Sequence, residues 1–298
     1  QAAQNLGISQ PALSIQIRKL EEETELLLID RRTKPIQLTK DGESYFELVS
    51  DILHRIEELK ELPFLLANQV KGKLRMGIIP TLAPYFISLF LDELYLKYPE
   101  LELIVEELIT EEIIRKLRTG HLDAGIISTP LEVSGPFHIR PLFYEKFFLY
   151  VSDRHSLFQK VQVSMEDLDL NEIWYLSEGN CFRNQVNSIC NLTGKQPGKQ
   201  KLAYQSNSIE SLRRMVESKQ GLTFIPELST MQLPSEQEDM IKPITGSDPV
   251  RELSLISVSE FVKKRLVDSF TEVALSQLPN HMKRRPAGWV VDTELEID

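Results

Sequence analysis

The spacing of apolar and polar positions changes character twice along the chain. Residues 2–6 read as the end of a short helix, broken at Gly7. Ser9 is suited to cap a second helix, and Pro11 falls in its first turn, where a missing N–H costs nothing. That helix is predicted from Gln10 to about Glu23. Leu13, Ile17 and Leu20 share one stripe on it, and Gln10, Ser14 and Arg18 share another, about a quarter turn away. Two short helices joined at a glycine, the second with a polar reading face, form a helix-turn-helix. Arg31, Arg32, Thr33, Lys34 and Pro35, followed by 36–38, read as a basic β-wing suited to a phosphate backbone or a minor groove. A solvated helix followed by a basic turn fits the same periodicity.

From Thr39 to about Lys60 the spacing becomes heptad-like. Tyr45, Val49, Ile52, Ile56 and Leu59 alternate steps of four and three. The seam fits a dimerising linker helix, or a helix packed on its own domain. Pro63 is expected to end or kink it, and 70–73 reads as a hinge.

From Lys73 strands alternate with helices. Strands are predicted at 74–80, 101–108, 122–128, 147–152, 173–176, 202–205, 221–226, 241–244 and 253–258. Helices are predicted at 85–98, 111–119, 181–192, 209–218 and 260–277. This alternation means an α/β fold with mainly parallel sheets. Pauses near 153–160 and 246–249 divide it into two lobes with a cleft between them. The tail from Lys283 is basic, then acidic, and is expected to be poorly ordered.

At 298 residues the chain is long enough for about two domains. With 42% hydrophobic and 26% charged residues it is an ordinary globular composition. No run of about 18 apolar residues occurs, so no membrane span is expected. Two cysteines make no disulfide framework, and a reducing, cytoplasmic setting is the default. The chain begins at Gln1, inside a helix, so its natural start is expected to lie upstream. The net charge of −10 argues against nucleic acid until its distribution is seen. Residues 1–40 carry six basic groups (Arg18, Lys19, Arg31, Arg32, Lys34, Lys40) against five acidic ones, and the rest of the chain 28 against 39. A near-neutral head on an acidic body leaves only a local basic face to meet phosphate.

The run Ala2-Ala3-x-x-Leu6-x-Ile8-Ser9-Gln10-Pro11-Ala12-Leu13-Ser14-x-Gln16-Ile17-x-x-Leu20-Glu21 resembles the winged helix-turn-helix signature of LysR-type transcriptional regulators. Leu117-x-x-Gly120-x-Leu122-Asp123-x-x-Ile126 and Val216-x-x-x-x-Gly221-Leu222-x-x-x-Pro226 resemble that family's regulatory-domain hallmarks. The resemblance covers residues 1–278. It implies an α-helical winged helix-turn-helix head (1–38, its first helix lying upstream) and a linker helix and hinge (39–71). It further implies a two-lobed α/β regulatory region like a periplasmic binding protein. Subdomain I would be 72–152 plus 250–278, subdomain II 153–249, and 279–298 the tail. Implied partners are double-stranded DNA, a second copy of the chain through the linker helix, a tetramer, and RNA polymerase. DNA contacts would come from Gln10, Pro11, Ser14, Arg18, Arg31, Arg32 and Lys34.

Gly179-Asn180-Cys181-Phe182-Arg183-Asn184-Gln185-x4-Cys190 resembles the redox segment of the family's hydrogen-peroxide-sensing branch. There the first cysteine reacts with peroxide and the second resolves it as a disulfide, a role this resemblance assigns to Cys181 and Cys190. Ile79-Pro80-Thr81-x-x-Pro84-Tyr85 resembles the branch's peroxide-pocket turn. Thr110 and Arg251 match further pocket positions. Asn180 stands where that branch typically has histidine, which removes any imidazole assistance.

The residues carry some of this chemistry on their own. Cys181 is expected in the first turn of a helix capped by Asn180, where a helix N-terminus and Arg183 would favour the thiolate. A small buried apolar residue is the other reading. Along an intact helix, Cys190 lies about 13 Å further on and about half a turn away. A disulfide needs Cα atoms within roughly 7 Å, so pairing must unwind the segment. Thr81 and Thr110 follow strands, at the edge that borders the crevice of an open α/β sheet. Their hydroxyls suit peroxide oxygens or helix capping, and Arg251 suits a leaving hydroxide or a surface ion pair. No metal site or cofactor is expected: His54, His121, His138, His155 and His281 are scattered, and no phosphate-cradling glycine loop occurs. A regulator of this family switched by a small carboxylate in the cleft, with incidental cysteines, stays open. A thiol peroxidase-like enzyme or a solute-binding protein would leave residues 1–40 unexplained, so a non-enzymatic regulator is expected.

Overall fold

A computed structural model describes residues 2–33, 35–66, 69–191, 194, 204–231, 233–246, 248–258 and 263–297. They form two compact units, Gln1–Lys60 and Glu61–Asp298. In the first, α1 (Ala2–Asn5) and α2 (Gln10–Thr24) meet at Gly7, and the Ser9 side chain caps α2 by accepting the Ala12 N–H at 3.3 Å. β1 (Ile29–Asp30) and β2 (Gln37–Leu38) pair antiparallel around the basic turn. Lys34 lies outside the described residues. The Thr39 hydroxyl accepts the Gly42 N–H and so caps α3 (Lys40–Leu66). A Cβ at Gly42 would collide with the Leu28 carbonyl, so glycine there lets the long helix approach the wing. Pro63 does not end α3, which runs on to Leu66.

The second unit is built on one mixed sheet. β3 (Gly72–Ile78), α4 (Ala83–Lys97), β4 (Leu101–Glu107), α5 (Thr110–Arg118) and β5 (Ala124–Thr129) form right at the predicted alternation. β6 (Glu132–Val133) and the long β7 (Phe137–Val151) follow, then β8 (Val163–Ser164), α6 (Cys181–Asn191), α7 (Ile209–Lys219), β9 (Leu222–Pro226) and the short α8 (Glu227–Thr230) and α9 (Ser235–Glu238). β10 (Ile241–Thr245), β11 (Val250–Val258), α10 (Lys264–Ser276) and β12 (Glu296–Ile297) complete it. Strand order is β4-β3-β5-β11-β7-β10-β8, with β9 also on β7.

Among the described residues the parallel strand pairs are β3–β4, β3–β5, β10–β8 and the small β12–β6 pair, besides two isolated parallel bridges. All pairs made by β7 are antiparallel, as is β11–β5. The expectation of mainly parallel sheets therefore fails. Its cause is β7: Phe137–Lys146 pairs with β11, and Phe147–Val151 continues onto β9 and β10, so one strand serves both lobes. The first lobe's core stacks Phe86, Phe90, Phe143 and Phe270, with ring centroids 5.1–5.4 Å apart. The second lobe buries Leu149, Phe182, Val186, Ile189, Leu212, Val216 and Phe224. Of the predicted strand 173–176 there remains one bridge, Ile173 to Leu222. Residues 202–203 of another lie outside the described residues, and 204–205 are not in a strand.

The tail is ordered, contrary to expectation. Met282, Val291 and Thr293 are fully buried, and β12 pairs with β6. The sequence pattern hid this because the buried residues are few and separated by charges and glycine. No described helix is long and apolar enough to cross a membrane.

Candidate functional site

The turn into α6 is made by Gly179, whose φ of +79° glycine adopts without steric cost. Asn180 then caps the helix: its Oδ1 accepts the Phe182 N–H at 3.0 Å. α6 buries Cys181, Phe182, Gln185, Val186, Ile189 and Cys190. At about 100° per residue these sweep half the helix circumference, with the two cysteines at opposite edges and about 13 Å apart along the axis. Neither cysteine is in a disulfide, and both are buried.

Cys181 opens α6 and Thr110 opens α5, and their side chains meet, Sγ to Oγ1, at 3.3 Å. The Thr110 hydroxyl makes no cap of its own helix. Thr81 follows β3, and it does not cap α4 either. Its hydroxyl and carbonyl accept from Arg251 Nη1 and Nη2 at 2.9 and 3.1 Å. Arg251 is 1% exposed, so it is no surface ion pair. Its Nε and Nη2 lie 2.7 and 2.6 Å from Glu145 Oε1, and its guanidinium sits 5.2 Å from the centre of the Phe182 ring. Glu145 Oε2 accepts the Leu228 N–H at 2.9 Å. Burial pushes the Glu145 carboxyl up, against the pull of Arg251 and that N–H. Beside Cys181 lies a narrow crevice lined by Ile79, Pro80, Ile109, Thr110, Gly179, Asn180 and Cys181, too tight in this conformation to hold a water molecule.

Two expectations about the thiol need correction. Burial pushes the Cys181 thiol up, and the Thr110 hydroxyl and the Arg251 charge pull it only part of the way back. The nearby cation is Arg251 rather than Arg183. Arg183 Nη1 donates to the Leu176 carbonyl at 2.9 Å, its Nη2 lies 3.5 Å from Glu178, and it faces the Tyr175 ring. Cys190 is pushed up to about 11 by burial, partly offset by a hydrogen bond with Tyr175. What this arrangement offers is a shielded sulfur with one hydroxyl on it, a cation nearby, a small opening, and a second thiol out of reach while the helix stands. Among the described residues no group of His, Cys, Asp and Glu is placed to hold a metal ion.

In the head, Gln10, Pro11 and Arg18 are exposed along α2, and Ser14 is half-buried on the same side. Among the described residues, Arg32 is tied to Asp30, its own turn neighbour, at 2.9 Å. Arg31 reaches back to Glu21 on α2 at 2.7 Å. Glu21 also accepts the Leu28 and Ile29 N–H groups. Burial pushes its carboxyl up, but these bonds outweigh it and hold it below the usual range.

Sequence reasoning missed Glu145, Glu21 and Gln185. Glu145 left a signal: it falls between Phe143 and Phe147 on one face of β7, and a charge on an apolar strand face calls for a buried partner. Glu21 and Gln185 fall inside the motifs quoted above, but periodicity alone gave them no buried role.

Residues 67–279 match the LysR substrate binding domain, and residues 1–43 match the bacterial regulatory helix-turn-helix protein, lysR family. The chain is 32% identical to a hydrogen peroxide-inducible genes activator of Haemophilus influenzae, over 86% of this chain and 83% of that protein. It is 29% identical to the DNA-binding transcriptional dual regulator OxyR of Escherichia coli, over 86% and 82%. Full-length OxyR from Pseudomonas aeruginosa, solved as a point variant, superposes with a TM-score of 0.74 at 27% identity, over 95% of this chain and 93% of that one. OxyR from Porphyromonas gingivalis superposes at 0.68 with 30% identity, over 74% and 100%.

Proposed function

Because the chain belongs to the LysR family of bacterial transcriptional regulators, we propose that it is a cytoplasmic DNA-binding regulator switched by hydrogen peroxide through Cys181 and Cys190. The observation that carries this reading is the Cys181 sulfur held 3.3 Å from the Thr110 hydroxyl, at a narrow crevice. The names of its relatives support it.

The Cys181 thiol first loses its proton to solvent, from which the departing hydroxide later takes one up. Its sulfur then attacks one peroxide oxygen, an S–O bond forms, the O–O bond breaks, and hydroxide leaves to become water. Sulfur is oxidised by two electrons to a sulfenic acid. Thr110 orients the attacked peroxide, and Arg251 favours both the thiolate and the departing hydroxide. Asn180 caps the helix and takes no proton. The Cys190 sulfur then attacks the Cys181 sulfur, the S–O bond breaks, a second water leaves, and a disulfide forms. Two thiols and one peroxide give one disulfide and two waters.

Because the thiols stand half a helix circumference apart, the second step requires α6 to unwind. A covalent event thus biases an element with two states. In the head, Gln10, Pro11, Ser14 and Arg18 read base edges, while Arg31, Arg32 and Lys34 hold the phosphate backbone. The exposed α3 seam at Ile52, Ile56 and Leu59 pairs with a second copy, and two dimers form a tetramer that meets RNA polymerase as an activator. A refolded subdomain II (153–249) is what the DNA-bound tetramer senses.

Mass spectrometry of peroxide-treated protein tests the core of this reading. An intramolecular Cys181–Cys190 bond is expected, with Cys190→Ser stalling at Cys181 sulfenic acid or over-oxidising there. If both thiols stay reduced, or Cys190 oxidises first, a small-metabolite signal in the cleft replaces peroxide.

A further inference from the structure

The tail lies beyond the residues matched by either family description, and it takes no part in the chemistry above. Its path is nevertheless specific. From Trp289 to Ile297 it crosses the second unit, with one turn at Glu294, whose φ is +52° and whose N–H donates to Asp292 Oδ1 at 2.8 Å. Val250 N–H donates to the Trp289 carbonyl, and Val291 N–H to the Val250 carbonyl, both at 2.9 Å. The Thr293 hydroxyl and N–H both donate to the Pro130 carbonyl, at 2.6 and 3.2 Å. Glu132 and Ser134 N–H groups donate to the Leu295 and Ile297 carbonyls, at 2.9 Å each. The tail is thereby moored to β11, to the β5–β6 turn and to β6.

A further set of contacts is with α6. Asn184 Nδ2 donates to the Thr293 carbonyl at 3.0 Å, Gln185 Nε2 to the Val291 carbonyl at 2.8 Å, and the Ser188 hydroxyl to Glu294 Oε1 at 2.7 Å. All three side chains lie between Cys181 and Cys190. Positions 184, 185 and 188 share a face only in a helix; in an extended segment 184 and 185 point opposite ways. The Gln185 amide is fully buried, and its oxygen is also bonded, by the Ser128 hydroxyl at 3.2 Å, so the amide is fixed in orientation.

We propose that residues 289–297 are a latch on the redox helix: they stabilise α6 as a helix and are released from it when the Cys181–Cys190 disulfide forms. The inference rests on the redox reading for its trigger, and on the three side-chain bonds for its hold. Coupling runs both ways. A tail that binds only the helical form shifts the equilibrium toward the helix, and an unwound segment sheds the tail. The latch therefore sets how readily the sulfenic acid is resolved, and oxidation frees the Val291 and Thr293 carbonyls and the Glu294 carboxylate from α6.

Amide exchange followed by mass spectrometry, on the full chain, tests this. The variants are Asn184→Ala with Ser188→Ala, which leave the tail's buried Met282 and Val291 in place, and a deletion of 286–298. In reduced protein, both are expected to speed exchange of 181–191 by roughly 10-fold or more, the effect of two hydrogen bonds of ordinary strength. In wild type, peroxide is expected to open 181–191 and, with the hold of α6 on the Val291 and Thr293 carbonyls gone, to speed exchange of 289–297 from its remaining bonds to β11 and the β5–β6 turn. In the double variant the disulfide should close faster after sulfenic acid forms, while the first step keeps its rate. Unchanged exchange of 181–191 in the reduced double variant overturns the latch, as does a tail that stays protected in oxidised wild type whose α6 has opened. A wild type that forms no disulfide overturns the peroxide reading instead, and the reduced-protein comparison still decides whether the tail holds the helix.

Discussion

The Thr110 hydroxyl and the Cys181 sulfur lie 3.3 Å apart, each on the first residue of its own helix. Two helix N-termini thus converge on one sulfur, and both favour negative charge there. Burial works against them and prevails. At neutral pH the resting form is the thiol, so the peroxide rate is expected to climb with pH beyond the point where an ordinary cysteine has levelled off. Thr110→Val removes the hydroxyl and keeps the shape. It is expected to slow sulfenic acid formation by roughly 10- to 100-fold, the loss of one to two hydrogen bonds' worth of stabilisation. Stopped-flow trapping of the sulfenic acid in a Cys190→Ser background reads both effects.

Arg251 and Glu145 are both buried, and each is the other's counter-charge. Arg251→Met would leave Glu145 with the Leu228 N–H alone. Breaking one side of such a pair costs about 3–5 kcal/mol, whereas replacing both sides with apolar groups is far milder. Urea unfolding is expected to show a large loss for Arg251→Met, and recovery of much of it on adding Glu145→Leu. If the double variant is as unstable as the single, the pair is not the unit of stability at this place.

How much of this was legible in the sequence depended on whether the signal was local. Ser9 caps α2 as its spacing required, and the α/β alternation of 74–128 is right because each element there buries its own apolar face. β7 is different: Phe137–Lys146 carries too many polar residues to read as a strand, and β11 makes it one through pairing from more than a hundred residues away. Cys181, Thr110, Thr81 and Arg251 were singled out through motifs, and the structure sets Thr110 against Cys181 and Arg251 against Thr81, although neither Thr81 nor Arg251 lines the crevice at Cys181. Their electrostatics were not legible. Arg183 is next but one to Cys181 in sequence, yet it turns toward Leu176 and Glu178, and the cation in reach comes from β11. The tail was misread for the same reason, since its hydrogen-bonding partners, Pro130, Val250 and α6, are all distant in sequence.

Cys190 is expected to make stability fall in alkali. Burial raises its thiol from an ordinary 9.0 to about 11. The fold therefore favours the protonated form. Its contribution is complete below about pH 9, where the unfolded thiol is still protonated, and is lost as pH rises toward about 11. A shift of this size corresponds to about 2–3 kcal/mol. Urea midpoints of reduced protein at about pH 8 and about pH 10 are expected to separate in wild type and to draw together in Cys190→Ala, which is less stable at both. Equal separation in the two proteins would move the alkaline loss to other groups, such as the buried tyrosines.

The two wing arginines are not equivalent, and this divides their expected effects on DNA. The Arg32 side chain is 88% exposed and paired within its own turn, so it can leave Asp30 for a phosphate with little loss. Arg32→Ala is expected to weaken binding to specific and random duplexes alike and to lower the salt slope by about one. Arg31 also satisfies Glu21, which ties the wing to α2. Arg31→Ala is therefore expected to lower both DNA affinity and the melting temperature of the head. Arg18 stands apart from the wing, on the α2 face it shares with Gln10 and Ser14. Its loss is expected to cost about 1–3 kcal/mol on the specific site and to relax sequence preference, with melting unchanged. Titrations of each variant on specific and scrambled duplexes, at two salt concentrations, separate the three. Should Arg18→Ala lose equally on both duplexes, α2 presents Arg18 to the backbone, and base reading rests on Gln10 and Ser14 alone.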